Sequence, residues 1–209
     1  MSTGGEGGMI TTSDESLWQA VWSLKDHGKS QSAISERTAD NGFKWVHDSF
    51  GTNARMTEMQ AVVGRIQLSR MPEWHRKRRE NLTRIWNCAR ELPLYRVPTL
   101  PQAIDHAAYK CYLHINPDMR AGGEDIADIR AEALTRINEL GVPCYTGSCP
   151  TVFREKAFAC EPWLKPIELP NADILGKDSL MLLVHPTLTE AEISKTLDVL
   201  TKVSRVLTG

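Results

Sequence analysis

The sequence predicts an α/β protein in two unequal parts: residues 1–70 read as the edge of a larger α/β unit, and residues 71–209 as a small α+β domain. Three observations lead there. From Pro72 onward, helix-period and strand-period segments alternate in a way that suits a layer of helices against one small sheet. The first seventy residues instead open straight into a short β-like run, Met9-Ile10-Thr11-Thr12, with no element before it. The composition, 41% hydrophobic and 24% charged over 209 residues, is that of a soluble globular chain. At this size a chain hides about 70% of the surface its unfolded form exposes, so it needs neither disulfides nor metals to cohere.

Each element follows from local signals. Ser13-Asp14-Glu15 offers an N-cap and an acidic first turn to a helix through Leu17, Trp18, Val21, Trp22 and Leu24 that stops at Gly28. Lys29 to Phe50 reads as polar loop, long for a structureless connection and so suggestive of a functional or interface-lining segment. Thr57-Glu58-Met59-Gln60 has capping-box spacing, and Met59, Val62, Val63 and Ile66 follow on one helical face. Pro72 either kinks this helix or starts its successor, which carries Trp74, Leu82, Ile85, Trp86, Ala89 and Leu92 to Pro93. After a connector punctuated by Pro93, Pro98 and Pro101, Ala108 to Ile115 alternates like a half-buried strand. A helix from about Asp125 to Leu140 ends at Gly141; Val142 to Tyr145 and Ser179 to His185 read as strands, and Thr189 to Leu207 as a capped amphipathic helix.

Charge and composition exclude several classes. Lys+Arg 25 against Asp+Glu 26 leaves a net charge of -1, so there is no bulk basic field for nucleic acid or anionic lipid. The five cysteines, Cys88, Cys111, Cys144, Cys149 and Cys160, include no Cys-x-x-Cys pair and no finger-like His partners; they read as reduced thiols in a cytoplasm, with no metal site. No basic leader and no apolar run of spanning length is found, so neither secretion nor membrane insertion is expected.

Residues that could carry chemistry each have two readings. Gly4-Gly5-Glu6-Gly7-Gly8 is either a loop whose amides approach a phosphate or a tight turn; it fits neither Gly-x-Gly-x-x-Gly nor the P-loop. Gly51-Thr52-Asn53-Ala54-Arg55 precedes a capped helix, where an amide, a guanidinium and free helix amides could converge on an anion, or it is a plain turn into that helix. Arg65, Arg70, Arg76, Lys77, Arg78 and Arg79 form either a nucleic-acid stripe or, with Glu58, Glu73 and Glu80 among them, a solvated face. His27 and His185 lie at element ends as ligand contacts or as structural residues, and Cys144 and Cys149 are presented thiols or small buried hydrophobes.

Taken together, Thr3-Gly4-Gly5-Glu6-Gly7-Gly8-Met9, then Lys25-Asp26-His27-Gly28, then Gly51-Thr52-Asn53-Ala54-Arg55-Met56-Thr57-Glu58-Met59-Gln60-Ala61 resemble the DegT/DnrJ/EryC1/StrS family of pyridoxal 5'-phosphate (PLP)-dependent sugar aminotransferases. Residues 141–149 and 179–186 resemble its branch associated with surface-polysaccharide sugars. The resemblance implies the C-terminal part of a fold type I PLP-dependent transferase, namely the edge of the large domain plus the small domain. It also implies a homodimer that shares its active sites, and amino transfer from an amino acid such as glutamate to a keto group on a nucleotide-linked sugar. In the family the Schiff-base lysine lies just before Gly-Glu-Gly-Gly, so it is expected upstream of Met1, and the chain alone is expected to be inactive.

Residue by residue, the resemblance places Asn53 near the cofactor phosphate of the neighbouring subunit, Arg55 beside it against PLP phosphate or the substrate diphosphate, and Glu6, Gly7 and Gly8 where the backbone approaches the cofactor. It sets Lys110, Tyr112 and His185 on the substrate side. Two rival readings stand beside this one: a PLP- or PMP-dependent sugar dehydratase of the same fold, with His in place of the lysine, and a non-catalytic interaction protein that keeps the enzyme's dimer surface.

Overall fold

The computed structural model describes residues 5–36, 45–123, 125–148, 151–158 and 168–209. Thr3, Gly4, Cys149 and Cys160 lie outside them. The chain divides into two compact units, Ser2–Met71 and Pro72–Gly209.

In the first unit, helix α1 (Glu15–Lys25) starts at Asp14, whose side chain accepts the Leu17 amide at 3.0 Å. It ends where His27 (φ 64°) and Gly28 (φ 84°) take left-handed backbone and turn the chain. The segment read as loop contains a short helix, α2 (Gln31–Ser35), capped by the Ser30 hydroxyl. Met9–Thr12 is not a strand: Met9 and Ile10 are exposed and no ladder partner lies beside them among the described residues. Without a neighbour the backbone groups of that run have only water to bond, and an isolated extended segment has nothing to hold it. Helix α3 (Glu58–Arg90) begins here with the expected box: the Gln60 amide reaches Thr57 Oγ1 at 3.3 Å, and the Thr57 amide reaches Gln60 Oε1 at 3.0 Å.

Pro72 does not start a new helix; it sits inside α3, as the first residue of the second unit. That unit holds a four-stranded antiparallel sheet, β1 (Tyr95–Arg96), β2 (Cys111–Ile115), β3 (Cys144–Tyr145) and β4 (Ser179–Leu182), in the order β1-β2-β4-β3. Leu182 faces Cys111 on one side and Cys144 on the other. All four β4 residues are buried, as a central strand covered on both faces must be. Helices α4 (Ile126–Glu139), α5 (Pro170–Asp178) and α6 (Glu190–Leu207) complete the unit.

One core joins Leu82, Ile85 and Ala89 of α3, Leu113 and Ile115 of β2, Ile129, Ala133 and Ile137 of α4, Leu180 and Leu182 of β4, and Leu200 and Val203 of α6. Asp125 caps α4, and Gly141 (φ 76°) turns the chain after it. Thr189 and Glu192 form a complete capping box on α6. Strands β2, β3 and β4 are shorter than the segments Ala108–Ile115, Val142–Tyr145 and Ser179–His185 that the sequence offers, and β1, α5 and two short 3₁₀ turns after β3 have no clear sequence signal.

Candidate functional site

The first unit brings two motif segments side by side. The Thr52 amide bonds the Leu24 carbonyl at 2.8 Å, the His27 amide bonds the Thr52 carbonyl at 3.1 Å, and the Ala54 amide bonds the Lys25 carbonyl at 3.0 Å. Asp26 and Asn53 are thereby paired in an antiparallel bridge. Glycine is obligatory at this crossing. A Cβ on Gly28 would lie 1.7 Å from the Ser49 carbonyl oxygen, and one on Gly51 would lie 2.2 Å from the Gly28 nitrogen.

The pairing places a small set of polar side chains at the start of α3. Arg55 Nη1 and Lys29 Nζ each stand 3.6 Å from Asp26 Oδ1, which is buried and has no hydrogen-bond partner. Arg55 Nε lies 3.4 Å from Asn53 Oδ1, so the guanidinium is held by one carboxylate and one amide while about half its side chain stays open to solvent. Asn53 is exposed. Asn53 and Arg55 therefore retain donors, and an amide with a forked guanidinium in front of a helix start is a donor set that fits a phosphate group.

Glu6, Gly7 and Gly8 join this region through backbone. The Glu6 carbonyl accepts from Gln60 Nε2 at 2.9 Å, and a Cβ on Gly7 would come 2.7 Å from Met56 Cε. Gly8 has open space about it. Three stretches distant in sequence thus gather at the first turn of α3.

In the second unit, Lys110 and Tyr112 lie at β2, and His185 in the turn after β4. The Tyr112 hydroxyl accepts the Ser148 amide at 3.2 Å and packs on Gly147 (φ 87°), whose Cβ would lie 2.5 Å from the ring. Lys110 Nζ sits over the Tyr109 ring, 5.4 Å from its centroid. His185 Nδ1 and Thr187 Oγ1 are 2.7 Å apart. No hydrogen bond joins His185 to Lys110 or Tyr112 among the described residues. Burial pushes the Cys144 thiol up to about 12, so it is no nucleophile at neutral pH. No group of three or more potential metal ligands occurs among the described residues, and no helix there is long and apolar enough to cross a membrane.

Two residues went unremarked as individuals in the sequence. Asp26 was legible only within Lys25-Asp26-His27-Gly28, since its role depends on the bridge to Asn53. Arg78 belongs to a basic run, yet it falls at i, i+4, i+7 and i+8 spacing with Leu82, Ile85 and Trp86, on the stripe that packs inward.

The architecture is that of part of a fold type I PLP-dependent aminotransferase. An aminotransferase from Psychrobacter cryohalolentis superposes with a TM-score of 0.88 at 44% identity, covering 100% of this chain and 54% of that one. The chain belongs to the DegT/DnrJ/EryC1/StrS aminotransferase family, whose model matches residues 1–201. Among curated relatives, GDP-perosamine synthase of Caulobacter vibrioides is 28% identical over 96% of this chain and 49% of its own length. The spore coat polysaccharide biosynthesis protein SpsC of Bacillus subtilis is 25% identical over 98% of this chain and 50% of its own. The chain spans about half the length of the relatives it matches. The cofactor of the family is PLP.

Proposed function

We propose that this chain is the C-terminal portion of a PLP-dependent aminotransferase that moves an amino group from glutamate to a keto group on a nucleotide-linked sugar, for surface-polysaccharide biosynthesis. The observation that carries the reading is the crossing of residues 24–29 with 51–55, which sets Asn53 and Arg55 together at the start of α3. Family membership and the names of the relatives supply the reaction class.

When bound, PLP supplies the electron sink for breaking bonds at the amine-bearing carbon. The residues of this chain bind and orient. Asn53 and Arg55 hold the phosphate end, with Asp26 fixing the guanidinium, while the backbone of Glu6 and Gly7 packs close against the same helix turn. Lys110, Tyr112 and His185 line the sugar-nucleotide side. The Schiff-base lysine and the groups that hold the pyridine ring come from a stretch of the complete enzyme outside this chain. Exposed Met59, Val62, Val63 and Ile66 on the first turns of α3 supply an apolar face suited to a homodimer.

The test is reconstitution: the complete enzyme, incubated with glutamate and keto-sugar nucleotides, should yield an amino sugar nucleotide and 2-oxoglutarate and should sediment as a dimer. A deoxygenated sugar with no amino transfer would point to the dehydratase, and no turnover of any sugar nucleotide would sink the enzyme reading.

A further inference from the structure

Arg78 stands apart from the other arginines of α3. Arg76, Arg79 and Arg84 are partly exposed, and each pairs with a carboxylate, of Glu80, Asp105 and Glu190 respectively. Arg78 is only 5% exposed, and no carboxylate pairs with it among the described residues. Its Nη1 donates to the Tyr109 carbonyl at 3.1 Å, and its Nε is sealed from solvent with no acceptor at all. A guanidinium so placed has lost much of its hydration and gained one neutral acceptor for five donors, an arrangement that disfavours the charge. Burial indeed pulls its pKa below the ordinary arginine value.

The neighbouring groups are donors as well. Asn81, one turn further along α3, gives its amide to the His185 carbonyl at 3.4 Å, which sets His185 against the same stretch of helix. Thr187 occupies one nitrogen of the His185 ring, and the ring is exposed. The carbonyl that Arg78 holds belongs to the residue before Lys110. Among the described residues, no carboxylate bonds Arg78 or the His185 ring.

We propose that Arg78, with His185 beside it, is a receptor for an oxyanion of a small-molecule ligand. A carboxylate or a phosphate would meet the guanidinium fork and the imidazole N–H together, entering from the exposed His185 side. Desolvation of the ring first, and the Arg78 charge second, hold the His185 pKa below its usual value, so at neutral pH the ring offers an N–H without adding a second positive charge. The receptor stands on these contacts alone. Naming its anion as the carboxylate of the amino donor or the diphosphate of the sugar nucleotide rests on the aminotransferase reading.

The experiment uses the 209-residue chain and follows the His185 ring proton and the Arg78 Nε–H by NMR, while inorganic pyrophosphate or, separately, glutarate is added. Saturable shifts of both signals are expected, with a midpoint about ten- to a hundredfold weaker in Arg78→Met, as for loss of one hydrogen bond to a charged group. Arg79→Met should leave the midpoint unchanged. Where Arg78→Met fails to fold, Arg78→Lys keeps the charge without the fork and should weaken binding severalfold. Saturation by pyrophosphate alone identifies a phosphate receptor, and by glutarate alone a carboxylate receptor. Shifts that do not saturate with either anion, or midpoints unchanged in both Arg78 variants, would overturn the proposal. Saturable binding in a chain whose complete enzyme fails to transaminate would keep the receptor and discard the aminotransferase reading.

Discussion

Arg55 Nη1 lies 3.6 Å from Asp26 Oδ1, a contact made possible only because the chain around Asn53 runs antiparallel to the turn after α1. With about half of its side chain exposed, Arg55 gains little stability from this pair, under about 1 kcal/mol. Its use is to aim the guanidinium. In the complete enzyme, Arg55→Ala and Asn53→Ala should therefore weaken PLP binding by about ten- to a hundredfold while shifting the unfolding midpoint little. Fluorescence titration with PLP beside a urea denaturation series separates the two effects. Unchanged affinity in both variants would remove these residues from the site.

The glycines give a prediction of opposite signs. Gly28 has φ 84°, and the Cβ of an alanine there would strike the Ser49 carbonyl, so Gly28→Ala should destabilise the first unit by roughly 2 kcal/mol or more. Gly64 lies inside α3 with open space about its Cα. Gly64→Ala should add roughly 0.5–1 kcal/mol through helix propensity and backbone entropy. Thermal unfolding of the two variants would show a drop and a rise; the same sign in both would contradict the crossing described here.

Local signals were legible wherever they were self-contained. The capping boxes at Thr57 and Thr189 and the glycine stop at Gly141 depend on neighbours a few residues away, and they stand where the spacing placed them. The motif at Gly51–Arg55 was legible by resemblance, but not its partner: Asp26 meets Arg55 across some thirty residues, and nothing local requires it. Pro72 was ambiguous because proline forbids one amide bond without dictating whether the helix yields. Met9–Thr12 is β-like in its residue types, which express propensity alone, and a strand also needs a neighbour. Strand β1 was hidden among prolines, where two residues pair with Ile115 and His114 for reasons set by the sheet.

Among the described residues of the second unit, Asp178 is the buried carboxylate. It is 2% exposed, with Oδ1 2.8 Å from His114 Nδ1 and Oδ2 3.1 Å from Arg96 Nη2, so it ties the end of α5 to β1 and β2. Asp178→Ala would leave the buried His114 without its partner and should cost about 3 kcal/mol, the lower end for breaking a buried pair because Arg96 can turn to solvent. Asp178→Asn keeps an acceptor and should cost less. Equal, small losses in both urea midpoints would show that the contact is incidental.

The last prediction concerns the 209-residue chain by itself, which should not form a selective covalent adduct with PLP. A lysine that condenses readily with a carbonyl near neutral pH needs its amine deprotonated, through burial in an apolar pocket or beside another cation. None of the described lysines is buried. Lys29 is the least open of those in ion pairs, and its Nζ is already engaged with Asp26 at 3.6 Å. Lys110 stacks over the exposed Tyr109 ring, and Lys195 donates to the Gly141 carbonyl, which occupies it as a structural donor. Lys44 and Lys165 lie outside the described residues, so the measurement must read every lysine. Incubation with PLP, borohydride reduction and peptide mass spectrometry should find low, scattered labelling that rises linearly with PLP concentration. One lysine labelled stoichiometrically and saturably, with amino transfer from glutamate, would place the reactive amine within this chain and overturn the assignment of that group to the rest of the enzyme.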